Sequence, residues 1–426
     1  MNPFLQHGQI LEPYIQEIET KIEGKVKEIQ KLVEHNQWKV LSSFRKHEVG
    51  DHHFTPSTGY GYDDLGRETL EKVYADVFGA EAAIVRPQII SGTHAIATCL
   101  FGILRPGDEL LYITGKPYDT LDKIVGDQTN PQRVPGSLAD FQISYRFIPL
   151  TPEGVVDVQQ VKESITSKTK MIGIQRSRGY ANRPSFRIDE IREMIELVKS
   201  IKEDVIVFVD NCYGEFVELL EPTQVGADIM AGSLIKNPGG GIVKTGGYIV
   251  GRRELIELAG TRLAAPGIGL EGGASLYSLL EMYQGFFLAP HVVGEALKGA
   301  IFSSALLEQL GFQTNPLWHE PRTDLIQSIQ FNSAENLVTF CQGIQKAAPI
   351  NAHVTPYPSE MPGYEDQVIM AAGTFIQGAS IEFSADGPIR APYLGFVQGG
   401  LTYEHVKIGI LTALDLMINK QLLHLK

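Results

Sequence analysis

The sequence predicts an α/β protein, with a large domain on a mostly parallel sheet covered by helices, then a smaller α+β domain. Three observations lead there. The run Val205-Ile206-Val207-Phe208-Val209 is apolar throughout, as a strand buried on both faces is, and does not alternate. Such runs are separated by segments with helical spacing, which is the pattern of parallel strands joined by crossover helices. At 426 residues the chain is longer than one hydrophobic core usually serves.

The first element is a long helix over about Glu12 to Val40. Ile15, Ile18, Ile22, Val26, Ile29 and Val33 recur at three- and four-residue spacing among Glu, Lys and Gln. One narrow apolar stripe makes no core alone, so this helix is expected to pack on the main domain or on a second subunit. His47 to Gly66 is rich in Gly, Asp, Tyr and His and reads as loop. Leu70 to Phe78 is helical, Ala82 to Val85 a strand, and a helix opens at Ser91. Leu110 to Ile113, Met171 to Ile174 and Val205 to Val209 are strands, with a helix at Ile188 to Ile201 before the last. Past Gly246 to Val250 come Gly/Ala-rich stretches and a helix over His291 to Leu310. The remainder has strand-like segments at Leu325 to Phe331 and Thr374 to Phe383, then a terminal helix over Tyr403 to Leu422. The domains are therefore read as a helical arm (1–55), a large domain (56–290) and an α+β domain (291–426).

Composition excludes several classes. A hydrophobic fraction of 43% with 20% charged residues is that of an ordinary globular protein. A formal net charge of −13 argues against nucleic acid or an anionic membrane as partner. No apolar run approaches bilayer length, and Met1-Asn2-Pro3-Phe4-Leu5-Gln6 lacks the charge and apolar pattern of a signal peptide. Cys99, Cys212 and Cys341 are widely spaced and fit neither a zinc site nor a disulfide framework, so a reducing cytoplasm is expected. His52-His53, His94 and Asp63-Asp64 have no metal-ligand spacing, and no metal is expected.

The chemistry is concentrated in two residues. Asp210 closes the apolar run at 205–209, where open α/β sheets bind ligands. Lys236 follows 26 positions later in Gly232-Ser233-Leu234-Ile235-Lys236-Asn237-Pro238-Gly239-Gly240-Gly241. A lysine amine can hold a cofactor aldehyde as an imine, and a carboxylate can keep a pyridine nitrogen protonated. Together they point to pyridoxal 5'-phosphate. Ser91-Gly92-Thr93 opens a helix with a good N-cap, free backbone N–H groups and a dipole that favours an anion. The glycines after Lys236 are expected to let backbone approach a phosphate. With Lys244-Thr245 they suggest a nucleotide-binding loop, but Val243 stands where that motif needs glycine.

The chain resembles fold-type I pyridoxal-phosphate enzymes of the Cys/Met metabolism group, which includes cystathionine lyases and methionine γ-lyase. Within it the likeness is greatest to bacterial aluminium resistance, or methionine γ-lyase-like, proteins. It is carried by Ser91-Gly92-Thr93-His94-Ala95-Ile96, Val209-Asp210-Asn211-Cys212-Tyr213-Gly214-Glu215, Gly232 to Pro238, and Ser384-Ala385-Asp386-Gly387-Pro388-Ile389-Arg390. The resemblance implies that Ser91, Gly92, Thr93 and Ser233 hold the cofactor phosphate. It implies that Tyr118 stacks on the ring and serves as acid or base, and that Arg390 grips the substrate α-carboxylate. It also implies a homodimer or homotetramer with shared sites, in which Tyr60 reaches a neighbouring subunit. The lyases carry Tyr-x-Arg there; this chain has Tyr60-Gly61-Tyr62, and Arg67 is the residue that could restore the charge. A second departure is Gln175-Arg176-Ser177-Arg178-Gly179-Tyr180, where the lyases place an asparagine against the cofactor. Asn182 lies too far along, which leaves Arg178 or Asn211 as substitutes.

The expected function is a lyase that eliminates a thiol from a small amino-acid substrate, like cystathionine β-lyase or methionine γ-lyase. The same cofactor and fold also serve aldolases, racemases and transaminases, and a non-catalytic metal-tolerance protein is the rival from another class.

Overall fold

The computed structural model describes residues 5–181, 183–361 and 366–425. Asn182 and the first four residues, which entered the readings above, lie outside the described residues. The chain forms two compact units, one of residues 37–287 and the other of residues 1–36 with 288–426. The stretch read as an arm, 1–55, is thus divided between them. Its helix α1 (Gly8–Lys46) is 39 residues long and exceeds the expected span at both ends. Leu11, Ile15, Ile18 and Ile22 are buried in the core of the unit that includes the C-terminus, while Val26 and Ile29 pack partly against it. This is the apolar stripe read from the sequence, with a core to cover.

In the unit 37–287, α2 (Leu65–Val77) leads into β1 (Ala82–Arg86) and α3 (Gly92–Ile103). Then come β2 (Glu109–Tyr112), the short α4 (Asp122–Val125), β3 (Ser144–Phe147), α5 (Val158–Ser164) and β4 (Thr169–Gln175). They are followed by α6 (Ile188–Ile201), β5 (Ile206–Asp210), β6 (Ile229–Ser233), β7 (Gly247–Gly251) and α7 (Arg253–Leu263). The seven strands lie in the order β1-β7-β6-β5-β4-β2-β3. Pairing from β3 to β6 is parallel, and β7 runs antiparallel to both β6 and β1. Ile96 and Leu100 of α3 and Ile256 and Ala259 of α7 pack with Met171, Phe208, Ile229 and Ile249 from the sheet. β6 was not anticipated. Ile229-Met230-Ala231-Gly232-Ser233 has little strand propensity of its own, and it is the pairing on both sides that makes it a strand.

α8 (Leu279–Gln309) is continuous over 31 residues and, like α1, has residues in both units. In the second unit, β8 (Gln313–Asn315), β9 (Gln327–Gln330), α9 (Ala334–Lys346), β10 (Val368–Ala371), β11 (Ser384–Pro388), β12 (Leu394–Gln398) and α10 (Tyr403–Asn419) follow. The sheet order is β10-β11-β12-β9-β8, antiparallel throughout. α9 packs closely on α10: a Cβ on Gly343 would lie 2.3 Å from Ala413 Cα. The stretch Thr374–Phe383, read as a strand, is irregular, and the strands β10 and β11 lie on either side of it. Ala379, Ile381 and Phe383 are buried, which produced the apolar signal. The Glu382 carboxylate accepts the N–H groups of Phe375 and Ile376, so side-chain bonds hold a turn where a ladder was expected. Among the described residues no helix is long and apolar enough to cross a membrane.

Candidate active site

The carboxyl ends of β4, β5 and β6 come together in one row, in which Gln175 pairs with Asp210 and Asp210 with Ala231. Asp210 is buried, and its Oδ1 accepts the backbone N–H of Cys212 at 3.1 Å. Burial raises its pKa, and the nearby Lys236 charge and the Cys212 bonds oppose that rise. Lys236 is partly buried, and its Nζ stands 3.9 Å from the centre of the Tyr213 ring. Burial alone would weaken the ammonium. Cys212, Tyr213 and Asp210 outweigh it and hold the lysine above its ordinary pKa. Tyr213 takes φ 73°, a left-handed conformation that is costly for an aromatic residue.

α3 points its N-terminus at this row. Ser91 is its N-cap, with Oγ accepting the His94 N–H at 3.1 Å, and the first N–H groups of the helix have no intrahelical partner. A Cβ on Gly92 would stand 3.2 Å from Cys212 Sγ and 3.3 Å from Ser233 Cβ. Glycine there is what lets the helix approach the ends of β5 and β6. Thr93 Oγ1 lies 3.3 Å from Thr120 Oγ1. Tyr118 joins from the side of β4: its N–H donates to Gln175 Oε1 at 2.6 Å, and its ring lies beside Gly179.

Asp210, Lys236, Ser233, the Ser91-Gly92-Thr93 turn and Tyr118 therefore share one end of the sheet. Tyr60 does not join them within this unit. It is 77% exposed, stacked on Tyr62 with ring centres 5.4 Å apart, and lines a cavity with Arg86, Gln88, Ile268 and Gly273. Arg390 belongs to the other unit, where it is exposed and paired with Asp366 at 3.0 Å.

Three readings are corrected. Arg67 is buried and donates to the carbonyls of Gly61, Gly273 and Glu271, so its charge is spent on the backbone around Tyr60. Asn211 is fully buried, and its oxygen accepts from Arg176 while its amide donates to Glu221, so the side chain is engaged inside the protein. Of the glycines after Lys236, Gly239 serves packing, where a Cβ would sit 1.8 Å from the Leu234 carbonyl oxygen, and Gly240 and Gly241 serve the turn with φ of 56° and 78°. Sequence reasoning missed Gln175, Cys212, Tyr213 and Glu215. Their sequence signal is position, at or within a few residues of the carboxyl end of a buried strand, and for Cys212, Tyr213 and Glu215 membership of the motif that carries the resemblance.

The donor set fits pyridoxal phosphate, with a helix N-terminus opened by glycine, a carboxylate at a strand end and a lysine beside it. Among the described residues no group of three or more His, Cys, Asp and Glu side chains is placed to hold a metal ion. A family model described as methionine gamma-lyase matches residues 11–418. The uncharacterised protein YnbB of Bacillus subtilis is 65% identical over 98% of this chain and 99% of its own length. A solved structure from Listeria innocua, described as a candidate cystathionine beta-lyase involved in aluminum resistance, is 63% identical with a TM-score of 0.92, covering 95% of this chain and 98% of that one. A carbon-sulfur lyase involved in aluminum resistance from Clostridium novyi is 45% identical with a TM-score of 0.90, covering 96% and 98%.

Proposed function

Since the chain belongs to the methionine gamma-lyase family, we propose that it is a cytoplasmic, pyridoxal-phosphate-dependent lyase that cleaves a carbon–sulfur bond in an amino acid. The observation that carries this reading is the buried Asp210 carboxylate beside the Lys236 amine, at the end of the sheet that α3 faces. When bound, the cofactor supplies an aldehyde that joins amines and a ring that draws electrons from the substrate Cα. Asp210 keeps the pyridine nitrogen protonated. Lys236 would hold the cofactor aldehyde, and its amine is the group placed to take the substrate Cα proton. The first N–H groups of α3, with Ser91, Thr93 and Ser233, hold the phosphate. Tyr118 would hold the ring from the side of β4, and Arg390 would grip the substrate carboxylate.

The test is a panel of sulfur amino acids given to the protein loaded with pyridoxal phosphate. Elimination yields thiol, ammonia and a 2-oxo acid in equal amounts. Transfer of the amine or racemisation with no thiol released would overturn the assignment.

Arg390→Ala raises KM for the amino acid while the cofactor stays bound, because a guanidinium holds a carboxylate through two parallel bonds. Loss of such a contact costs about 2–4 kcal/mol, or roughly 30- to 1000-fold in kcat/KM. Asp366, the present partner of Arg390, must give it up to the substrate, so Asp366→Asn lowers KM. Steady-state kinetics beside a cofactor titration decide this, and unchanged constants in Arg390→Ala would place the carboxylate elsewhere. The second prediction concerns assembly. Tyr60 is exposed on a rigidly held loop, which supports a role at the site of a second copy. The active species is then a homodimer or homotetramer, and sedimentation that finds an active monomer at assay concentration refutes it.

A further inference from the structure

Glu215 is a fully buried carboxyl that the chemistry above does not use. Its Oε1 accepts the Tyr248 hydroxyl at 2.6 Å, and its Oε2 has no hydrogen-bond partner. The carboxyl sits behind β6, where a Cβ on Gly232 would lie 2.6 Å from Oε1 and 2.5 Å from the Tyr248 ring. Glycine at 232 is thus the space that the Glu215–Tyr248 pair occupies. The backbone carbonyl of Glu215 accepts Asn237 Nδ2 at 3.0 Å, which ties this segment to the residue after Lys236. The surroundings are otherwise aromatic. Phe78 and Phe216 lie 5.6 Å apart, and Tyr74 stacks on Phe286 at 3.8 Å with its own hydroxyl buried and unpartnered. Among the described residues Glu215 forms no ion pair.

The charged and titratable groups that face it are Tyr248 on β7, Tyr74 on α2, Cys212 and Glu221 on its own segment, and Lys236. Glu221 is already committed, accepting the Phe216 N–H and lying 3.6 Å from Arg176. Burial pushes the Glu215 carboxyl up, Tyr248 and Lys236 pull it back, Glu221 adds to the rise, and it stands at about 8. One ammonium shared with Asp210 leaves little to stabilise a second buried anion.

Taking the assignment of Lys236 as given, we propose that Glu215 is a positioning residue held as the neutral acid, whose ionisation is linked to the charge on Lys236. Ionised Glu215 favours a charged lysine nitrogen. A charged lysine nitrogen in turn favours release of the Glu215 proton. Ionisation of the carboxyl therefore extends the pH range over which the lysine nitrogen stays protonated, and the segment that holds it is tied to the residue after Lys236 by the Asn237 bond.

Two measurements test this. In protein loaded with pyridoxal phosphate, the visible band of the lysine-bound cofactor is titrated with pH in the wild type and in Glu215→Gln. The glutamine keeps an acceptor for Tyr248 but cannot ionise, so its transition moves down by about one pH unit. In cofactor-free protein, the infrared C=O stretch of a protonated carboxyl is sought at neutral pH, present in the wild type and missing from Glu215→Gln. Tyr248→Phe removes the donor that favours the anion, so there the acid band persists to higher pH. Identical visible titrations, or no acid band in the wild type, overturn the proposal. A wild type with no visible band at all overturns the lysine assignment, and the linkage with it, while the infrared result still decides whether Glu215 is neutral.

Discussion

Replacing Lys236 with alanine lowers turnover by roughly 10³- to 10⁶-fold and leaves the fold intact, because the amine supplies chemistry that no neighbour can replace. The structural cost is small. Lys236 is partly exposed and its Nζ lies over the Tyr213 ring, a contact worth about 1 kcal/mol, while the Asp210 carboxyl can take up a proton once the ammonium is gone. The melting temperature is therefore expected to hold within a few degrees. After exposure to pyridoxal phosphate and borohydride, the wild type gains the mass of one reduced cofactor per chain and Lys236→Ala gains none. A variant that is still labelled at one site would place the covalent bond on another lysine.

Asp210→Asn is the second large effect. The amide keeps the shape and can accept the Cys212 N–H bond, but it carries no charge to hold a proton on the pyridine nitrogen. Loss of an electrostatic group of this kind costs on the order of 10²–10³ in kcat. Stability moves the other way. The Asp210 pKa is raised in the folded chain, chiefly by burial, so its contribution is present below the ordinary carboxylate range and is lost as pH rises through the raised value. At neutral pH the cofactor-free Asp210→Asn protein is accordingly at least as stable as the wild type. Calorimetry beside kinetics checks both halves: a variant that melts well below the wild type would mean that the carboxylate supports the fold.

That Asp210 closes a buried strand was legible because its run is apolar at every position and polar immediately after. The turn at Ser91 was legible for a similar reason, since N-cap, glycine and apolar spacing are all local. Other features are not local. Ile229–Ser233 becomes a strand through its neighbours, and Gln175 reaches Tyr118 across a loop and a sheet. Arg67 looked available because nothing in a sequence reveals that three backbone carbonyls will converge on it. Arg176 looked like its near neighbours Arg178 and Arg183 until burial between Glu218, Glu221 and Asn211 set it apart.

Gly232 carries a consequence for how this chain can change over generations. A methyl group there collides with both the Glu215 carboxyl and the Tyr248 ring, so alanine at 232 is closed while those two remain. Shortening Glu215 removes one of the two clashes, while the Tyr248 ring still blocks the methyl and its buried hydroxyl loses its acceptor. A change at one of the three positions therefore leaves a clash or an unpaired buried group unless the others change with it. Packing thus constrains positions 215, 232 and 248 together.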